Sequence, residues 1–426
     1  RDEAVFEGCL FAALTSAAVG VLLAFLCRGS TVTKEGRPDY FRREGLAAVG
    51  LAWLAAAVFG ALPFLFSGSL GSFADAFFEA SSGFTTTGSS ILTPEQIDVL
   101  PRGINFWRAF THWLGGIGII IVFVLLFPAG GRSLFRSEVS GISREAARTR
   151  VRDSAFGLLR IYVFLTAAHV ALMYAVYHDL YDCVIHAFST LATGGFSNHG
   201  ASAGFFASWK VELVLILFML LAGVNFDHYD TLQRQGLRAG WRSFSSSIEV
   251  RAYLGLIFGS AAVIAVLLWF WGGSNGAEGS PLPDYSRLSL CLRDSLFSVT
   301  SMQTCTGYAT ANFDLWPDTC RLMLVVLTAV GACAGSTGGG LKVIRLVILW
   351  KATVQSIARF ARPRAIQPVR LEGVALDDGV VFGVLAYVGL WLVVMTLSTV
   401  IVVGTGFESP HCFQAQHILS AMTGVV

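Results

Sequence analysis

Eight apolar runs, each near the roughly 20 residues a helix needs to cross a bilayer, leave this chain little choice of architecture. They lie at about 5–27, 46–67, 104–127, 155–177, 209–227, 252–272, 320–350 and 380–403. In lipid every backbone polar group must find a partner within the protein, so runs of this length are read as membrane helices. Composition agrees, with 54% hydrophobic and only 14% charged residues, a balance foreign to soluble domains. A net charge of +2 gives nucleic-acid binding no support. The first run is too long for the apolar core of a signal peptide, and no small-residue cleavage site closes it. Eight cysteines contain no CxxC pair and sit mostly inside the runs, so they are read as packing residues rather than metal ligands or disulfides.

Between the runs the basic residues alternate. One connection holds Arg28, Lys34, Arg37, Arg42 and Arg43, and another Arg132, Arg136, Arg144, Arg148, Arg150 and Arg152. Two more hold Arg234, Arg238, Arg242 and Arg251, then Lys342, Arg345, Lys351, Arg359, Arg362, Arg364 and Arg370. Excess Lys and Arg marks the cytoplasmic side, so the intervening connections face outward.

Those outward connections repeat one pattern: a half-length amphipathic stretch too short to span, then a Gly/Thr-rich tract. They read FADAFFEASSGFTTTGSS (73–90), YDCVIHAFSTLATGGFSN (181–198) and LRDSLFSVTSMQTCTGYATANF (292–313); a fourth, PHCFQAQHILSAMTGVV (410–426), begins the same way. Aligned on their glycines, the tracts are Thr85-Thr86-Thr87-Gly88, Ala192-Thr193-Gly194-Gly195 and Thr304-Cys305-Thr306-Gly307. The order membrane helix, half-helix, tract, membrane helix is therefore an internal repeat, which must be recognised before a fold is assigned.

Non-helical backbone at membrane depth is tolerated only where it is buried in protein or lines a water-filled cavity. Its unpaired carbonyls suit a dehydrated monovalent cation, whose hydration shell they can replace. Glycine frees the carbonyl direction, threonine adds polarity without charge, and the half-helix aims its partially negative carboxyl end at the same point. Four such units around an axis would make one pore.

SSGFTTTGSS, FSTLATGGFSNHG, FWRAFTHWLGGIGIIIVFVLLFP (106–128) and GACAGSTGGGLKVIR (331–345) together resemble the TrkH/KtrB family of bacterial potassium uptake proteins, and the Trk branch most closely. The resemblance implies an all-α polytopic fold of four pseudo-symmetric repeats around one pore, preceded by an extra helix. It implies a multi-pass protein of the bacterial inner membrane that takes up K⁺ (and Rb⁺) through a gated, channel-like path. The selectivity filter would lie at Thr85, Thr86, Thr87, Gly88, Ala192, Thr193, Gly194, Gly195, Thr304, Cys305, Thr306 and Gly307. Glycine at all three visible positions agrees with potassium preference, whereas serine at the first accompanies sodium in related plant proteins. It implies a homodimer and a cytoplasmic ring of Rossmann-type regulatory subunits. Nucleotide, NAD(H) or ATP/ADP, would bind to that ring, and no cofactor is expected in this chain. The basic connections could meet the ring or anionic lipid heads.

The longest run breaks at Gly331, Gly335, Ser336, Thr337, Gly338, Gly339 and Gly340, since each glycine weakens a helix by about 1 kcal/mol relative to alanine. In the family this is an intramembrane gate below the filter. GSTGGGLK is not a phosphate loop, because Leu341 separates the last glycine from Lys342 and Val343 follows where GxxxxGK[ST] requires otherwise. LGGIG (114–118) is read as close packing rather than ion contact. Asp75 and Glu79 admit two readings, attraction of cations to the outer mouth and a structural role. Asp227 is placed at the membrane interface, and the histidines show no metal spacing.

Two rival functions stand beside the pore. A Na⁺- or H⁺-coupled symporter usually carries ionisable groups within its spans, and these spans hold almost none. An intramembrane enzyme would rest on Ser189 with His186 and His169, which coincide with a tract already explained. The expected organisation is 1–44, an extra helix and linker; 45–128, repeat 1; 129–154, a linker; 155–230, repeat 2; 231–350, repeat 3; 351–379, a linker; and 380–426, a truncated repeat 4. Arg1 and the end at Val426 suggest a natural protein that extends beyond both, with the fourth filter segment and final helix after Val426.

Overall fold

A computed structural model describes residues 2–26, 42–126, 144–275, 285–361 and 368–404. The stretch expected to begin a fourth half-helix (410–426) and basic residues such as Arg28, Lys34, Arg37, Arg132, Arg136, Arg362 and Arg364 lie outside the described residues.

The chain opens with α1 (Asp2–Leu26) and α2 (Arg42–Phe66), which pack together; a Cβ at Gly8 would lie 2.7 Å from the Ser67 amide nitrogen. Next comes the half-helix α3 (Phe73–Phe84), whose 12 residues reach about 18 Å, little more than half the bilayer core. The short α4 (Pro94–Val99) is fixed by a capping box, in which Thr93 N–H donates to Gln96 Oε1 at 2.9 Å and Gln96 N–H to Thr93 Oγ1 at 3.4 Å. The long α5 (Arg102–Leu126) then runs back past α3. Val5, Ala61, Phe64, Ala76, Ala80 and Ile104 close a core among these helices.

The pattern recurs. Long α6 (Arg144–Tyr177) leads to half-helix α7 (Leu180–Leu191), whose N-cap Asp179 accepts from Tyr181 N–H at 2.9 Å, and then to α8 (Trp209–Ala222). α9 (Phe226–Gln235) and α10 (Leu237–Ser246) form a short pair before α11 (Ile248–Asn275), half-helix α12 (Leu288–Gln303), α13 (Asp318–Val330) and α14 (Val343–Ala361). A single core with Tyr162, Met173, Leu215, Met219, Tyr253, Ile257, Phe297 and Leu324 joins α6, α8, α11, α12 and α13.

The chain closes on α15 (Asp378–Gly404), reached through β1 (Arg370–Leu371) and β2 (Val374–Ala375). This two-residue ladder departs from the all-α expectation. Glu372 and Gly373, both at positive φ (50° and 85°), make the left-handed turn that favours a tight hairpin. Ile348, Val369 and Leu376 seat it on α14.

Five described helices are long and apolar enough to cross a membrane, and the bent pair α8–α9 makes a sixth. α15 buries none of its apolar window within the chain, as suits a helix whose solvent is lipid. The expected span at 209–227 needs correction: α8 stops at Ala222 and α9 leaves at 86°. Asn225 caps α9 by accepting from Asp227 N–H at 2.9 Å, which puts Asp227 past the bend. The expected break at 331–340 is present, between α13 and α14.

Candidate functional site

All three tracts begin where a half-helix ends, and all three end it with the same bonds. The amides of Thr85, Ala192 and Thr304 still donate four residues back, to Ser81, Phe188 and Thr300. Those of Thr86, Thr193 and Cys305 donate three back, and those of Thr87, Gly194 and Thr306 five back, to Ser82, Ser189 and Ser301, each at 2.9 Å. Such a bond across a left-handed residue is the Schellman way of ending a helix. The left-handed position usually belongs to glycine, yet Thr86, Thr193 and Cys305 hold it at φ of 55°, 54° and 58°. Strain of this kind costs about 1–3 kcal/mol per residue and persists only where the surroundings impose it. Gly88, Gly195 and Gly307 follow at φ of 76°, 81° and 82°.

These reversals bring the twelve residues together. A Cβ on Gly88 would lie 1.8 Å from the Gly194 carbonyl oxygen, and one on Gly195 would lie 1.8 Å from that of Thr306. Tract one thus abuts tract two, and tract two abuts tract three. Ala192, Thr193 and Gly194 are buried, whereas Thr85, Thr87 and Gly307 are exposed. Apart from its chain neighbours, no described residue lies within 4 Å of a Cβ at Gly307.

The helices behind the tracts approach at glycines. In LGGIG, a Cβ on Gly115 would strike the Phe84 carbonyl oxygen at 2.1 Å. One on Gly116 would come within 2.5 Å of the Tyr162 hydroxyl and 3.2 Å of Ala192, and one on Gly118 would meet Trp53 at 3.0 Å. The motif is close packing, as read, with two of its glycines fitted to two different tracts. Gly223 at the end of α8 repeats the arrangement, facing the Tyr253 hydroxyl at 2.2 Å and Thr304 at 3.3 Å.

Polar pairs hold the half-helices, and of their members only Glu79 was singled out in the sequence. Glu79 and Arg108, both almost completely buried, pair at 2.8 Å. Arg108 also donates to Asn105 Oδ1 (3.2 Å), the Ser197 carbonyl (3.1 Å) and Ser90 Oγ (3.3 Å). Ser90 in turn donates to Glu79. This decides between the two readings of Glu79: it is structural, while Asp75 is exposed. Asp182 accepts from Asn198 at 2.7 Å and pairs with His199 at 3.0 Å. Glu212 binds Arg293, whose Nε lies 2.5 Å away, and Tyr285 donates to Asp294 at 3.1 Å. Among the described residues these buried carboxylates are all partnered.

His186 pairs with the Asp182 carbonyl and Ser197 Oγ, and the His169 ring stacks on Phe218. Ser189 Oγ faces neither of them; it lies 3.1 Å from His112 Nδ1. The Ser/His grouping considered for an enzyme is therefore not assembled. Among the described residues no group of three or more His, Cys, Asp or Glu could hold a metal ion.

The segment between α13 and α14 passes under the third tract. Gly331 turns the chain at φ 71°, and its carbonyl accepts from Gln303 Nε2 at 3.3 Å. A Cβ on Gly338 would lie 2.9 Å from the Thr304 carbonyl oxygen, and one on Gly339 would lie 3.6 Å from Cys305. Thr337 donates to the carbonyls of Leu191 (3.0 Å) and Ala222 (3.3 Å). Cys333 N–H donates to Gly223, and Phe226 N–H to Gly335. Ser336 donates to Cys333, Lys342 Nζ to the Gly338 carbonyl, and Ala334 N–H to Glu249 Oε1 at 2.6 Å. The glycines expected here form a compact, bonded loop rather than a loose kink.

A family model described as TrkH, a cation transport protein, matches residues 15–409. The chain belongs to the TrkH family. Relatives include the Trk system potassium uptake protein TrkH of Escherichia coli K12, 34% identical over 377 residues, which are 87% of this chain and 74% of that protein. The protein of the same name from Halomonas elongata is 32% identical over 381 residues, 88% of this chain and 75% of its own length. The crystal structure of the potassium transporter TrkH from Vibrio parahaemolyticus superposes with a TM-score of 0.82 at 28% identity, covering 98% of this chain and 86% of that one. TrkH proteins are membrane transporters rather than enzymes, so membership removes the enzyme reading.

Proposed function

We propose that this chain takes up potassium across the bacterial inner membrane through a gated, channel-like pore selective for K⁺ and Rb⁺. The observation that carries this is the threefold helix-ending geometry, with the three tracts pressed side by side at Gly88, Gly195 and Thr306. The tract amides satisfy carbonyls of each half-helix's last turn, and in this reading the tract carbonyls replace an ion's water. In this reading three of four repeats form the pore wall, and a fourth tract covers the exposed flank of Thr85, Thr87 and Gly307. Uptake by relatives named for potassium supports the choice of ion. The homodimer and the nucleotide-binding cytoplasmic ring rest on family resemblance.

The test is ⁸⁶Rb⁺ uptake into liposomes by the full-length protein, with K⁺ or Na⁺ as competitor and Gly88→Ser alongside. Competition by K⁺ but little by Na⁺, weakened in the variant, is the expected result. Equal passage of Na⁺, or indifference to Gly88, would sink both ion and site.

The loop at 331–340 is the gate in this reading, since it lies under Thr304 and Cys305. Glu249, at the start of α11, holds it through the Ala334 amide. Leaving the partly buried Ala334 amide without its acceptor costs about 1–3 kcal/mol. Removing it in Glu249→Ala is expected to raise uptake in the absence of any regulator about tenfold or more. Unchanged or reduced basal uptake, at equal protein, would separate Glu249 from gating.

A further inference from the structure

The second tract departs from the other two at two positions at once, and the structure supplies a reason. In tract one, Thr85 Oγ1 donates to the Ser81 carbonyl at 2.7 Å and pairs with Thr87 Oγ1 at 2.8 Å. In tract three, Thr304 Oγ1 donates to Thr300 at 2.8 Å and pairs with Thr306 Oγ1 at 2.7 Å. A hydroxyl pair thus ties the third tract residue to the end of its half-helix. Tract two has Ala192 and Gly194 at these places and cannot make the pair.

The vacated space is filled by His112 of α5. A Cβ on Gly194 would lie 2.4–2.6 Å from His112 Nδ1, Cε1 and Cγ, so the imidazole occupies the place of a side chain there. Its Nδ1 lies 3.1 Å from Ser189 Oγ, on the residue whose carbonyl receives the Gly194 amide. The ring stacks on Phe196, next after Gly195, with centroids 4.1 Å apart, and His112 is fully buried. In the following unit, Met219 of α8 stands four residues before Gly223, as His112 stands four before Gly116. Those two glycines face Thr304 and Ala192 respectively. The histidine thus goes with the tract that lacks the hydroxyl pair, and the methionine with one that has it.

We propose that His112 is a positioning residue for the second tract, taking over from side-chain packing the work that a threonine hydroxyl pair performs in the other two. It acts through Gly194, Phe196 and Ser189, and it sets how sharply the pore distinguishes K⁺ from Na⁺. This rests on the filter reading above. A ring wedged behind Gly194 fixes where that residue's carbonyl sits, beside Gly88.

The test exchanges the two solutions. ⁸⁶Rb⁺ uptake with K⁺ and Na⁺ competition is measured in liposomes for His112→Met, for Ala192→Thr with Gly194→Thr, and for the three changes together, each normalised to inserted protein. His112→Met is expected to lower the K⁺-over-Na⁺ preference up to about tenfold, the scale of one hydrogen bond. The two threonines alone are expected to abolish uptake, because the side chain added at Gly194 collides with the ring. The triple variant is expected to recover both uptake and preference, which a merely structural role for His112 would not give. If His112→Met does not assemble, the double variant against the triple carries the test. An unaltered preference in His112→Met, or a triple variant no better than the double, would overturn the proposal. Gly88→Ser separates the failures: if it too has no effect, the filter reading falls first.

Discussion

Gly195→Ala is expected to reduce cation uptake to the level of empty liposomes, the largest single-residue effect at the site. The residue sits at φ 81°, where any side chain costs roughly 1–2 kcal/mol. The added carbon would also land 1.8 Å from the Thr306 carbonyl oxygen, about half a van der Waals contact. Neither tract can yield, since each is bonded to its half-helix at both the three-back and five-back carbonyls. The carbonyl of Thr306 must therefore turn away. ⁸⁶Rb⁺ flux measures the outcome, with Gly50→Ala as control, because nothing lies within 4 Å of a Cβ there. Uptake near that of the parent would show that the tracts do not line the path.

Arg108→Leu is expected to be as severe, but through stability. The substitution leaves Glu79 buried without its cation, and breaking a buried pair from one side costs about 3–5 kcal/mol. It also strips donors from Asn105, the Ser197 carbonyl and Ser90, and removes a guanidinium 4.3 Å from the Phe196 ring centroid. Thermal unfolding of the detergent-solubilised protein should shift down by several degrees, with loss of uptake. Arg108→Lys should not rescue, because one ammonium cannot span four partners. Joint replacement of both partners by leucine should recover more stability than Arg108→Leu retains, since the stranded charge is gone. A double variant no better than the single would refute this account of the pair.

How far the sequence reached depended on whether a feature was local. The half-helices and tracts were legible because Gly and Thr interrupt an apolar context, and the helices do end at Phe84, Leu191 and Gln303. Glycine density likewise marked the break before α14. The bend at residues 223–225 was overlooked because Val224 and Phe226 carry the apolar run straight through it; Gly223 and the capping Asn225 mark it locally, and tertiary bonds such as Cys333 N–H to Gly223 fix it. Glu79 could not be assigned from sequence either, because its partner is 29 residues away. His112 finds Ser189 across 77 residues. No periodicity links such pairs, and they exist only once α5 has packed behind two tracts.

The loop under the third tract has an uneven genetic basis. Where it touches the second unit, its partners are the carbonyls of Leu191, Ala222 and Gly223 and the amide of Phe226, main-chain atoms that only a proline at 226 would delete. On its own side it depends on named side chains, Thr337 and Lys342, with Glu249 reaching in from α11. Side-chain changes on the first bank therefore leave the bonding atoms in place, although Gly223 is held by its own packing against Tyr253 and Thr304. Changes that remove a bonding group outright should arise in the third unit.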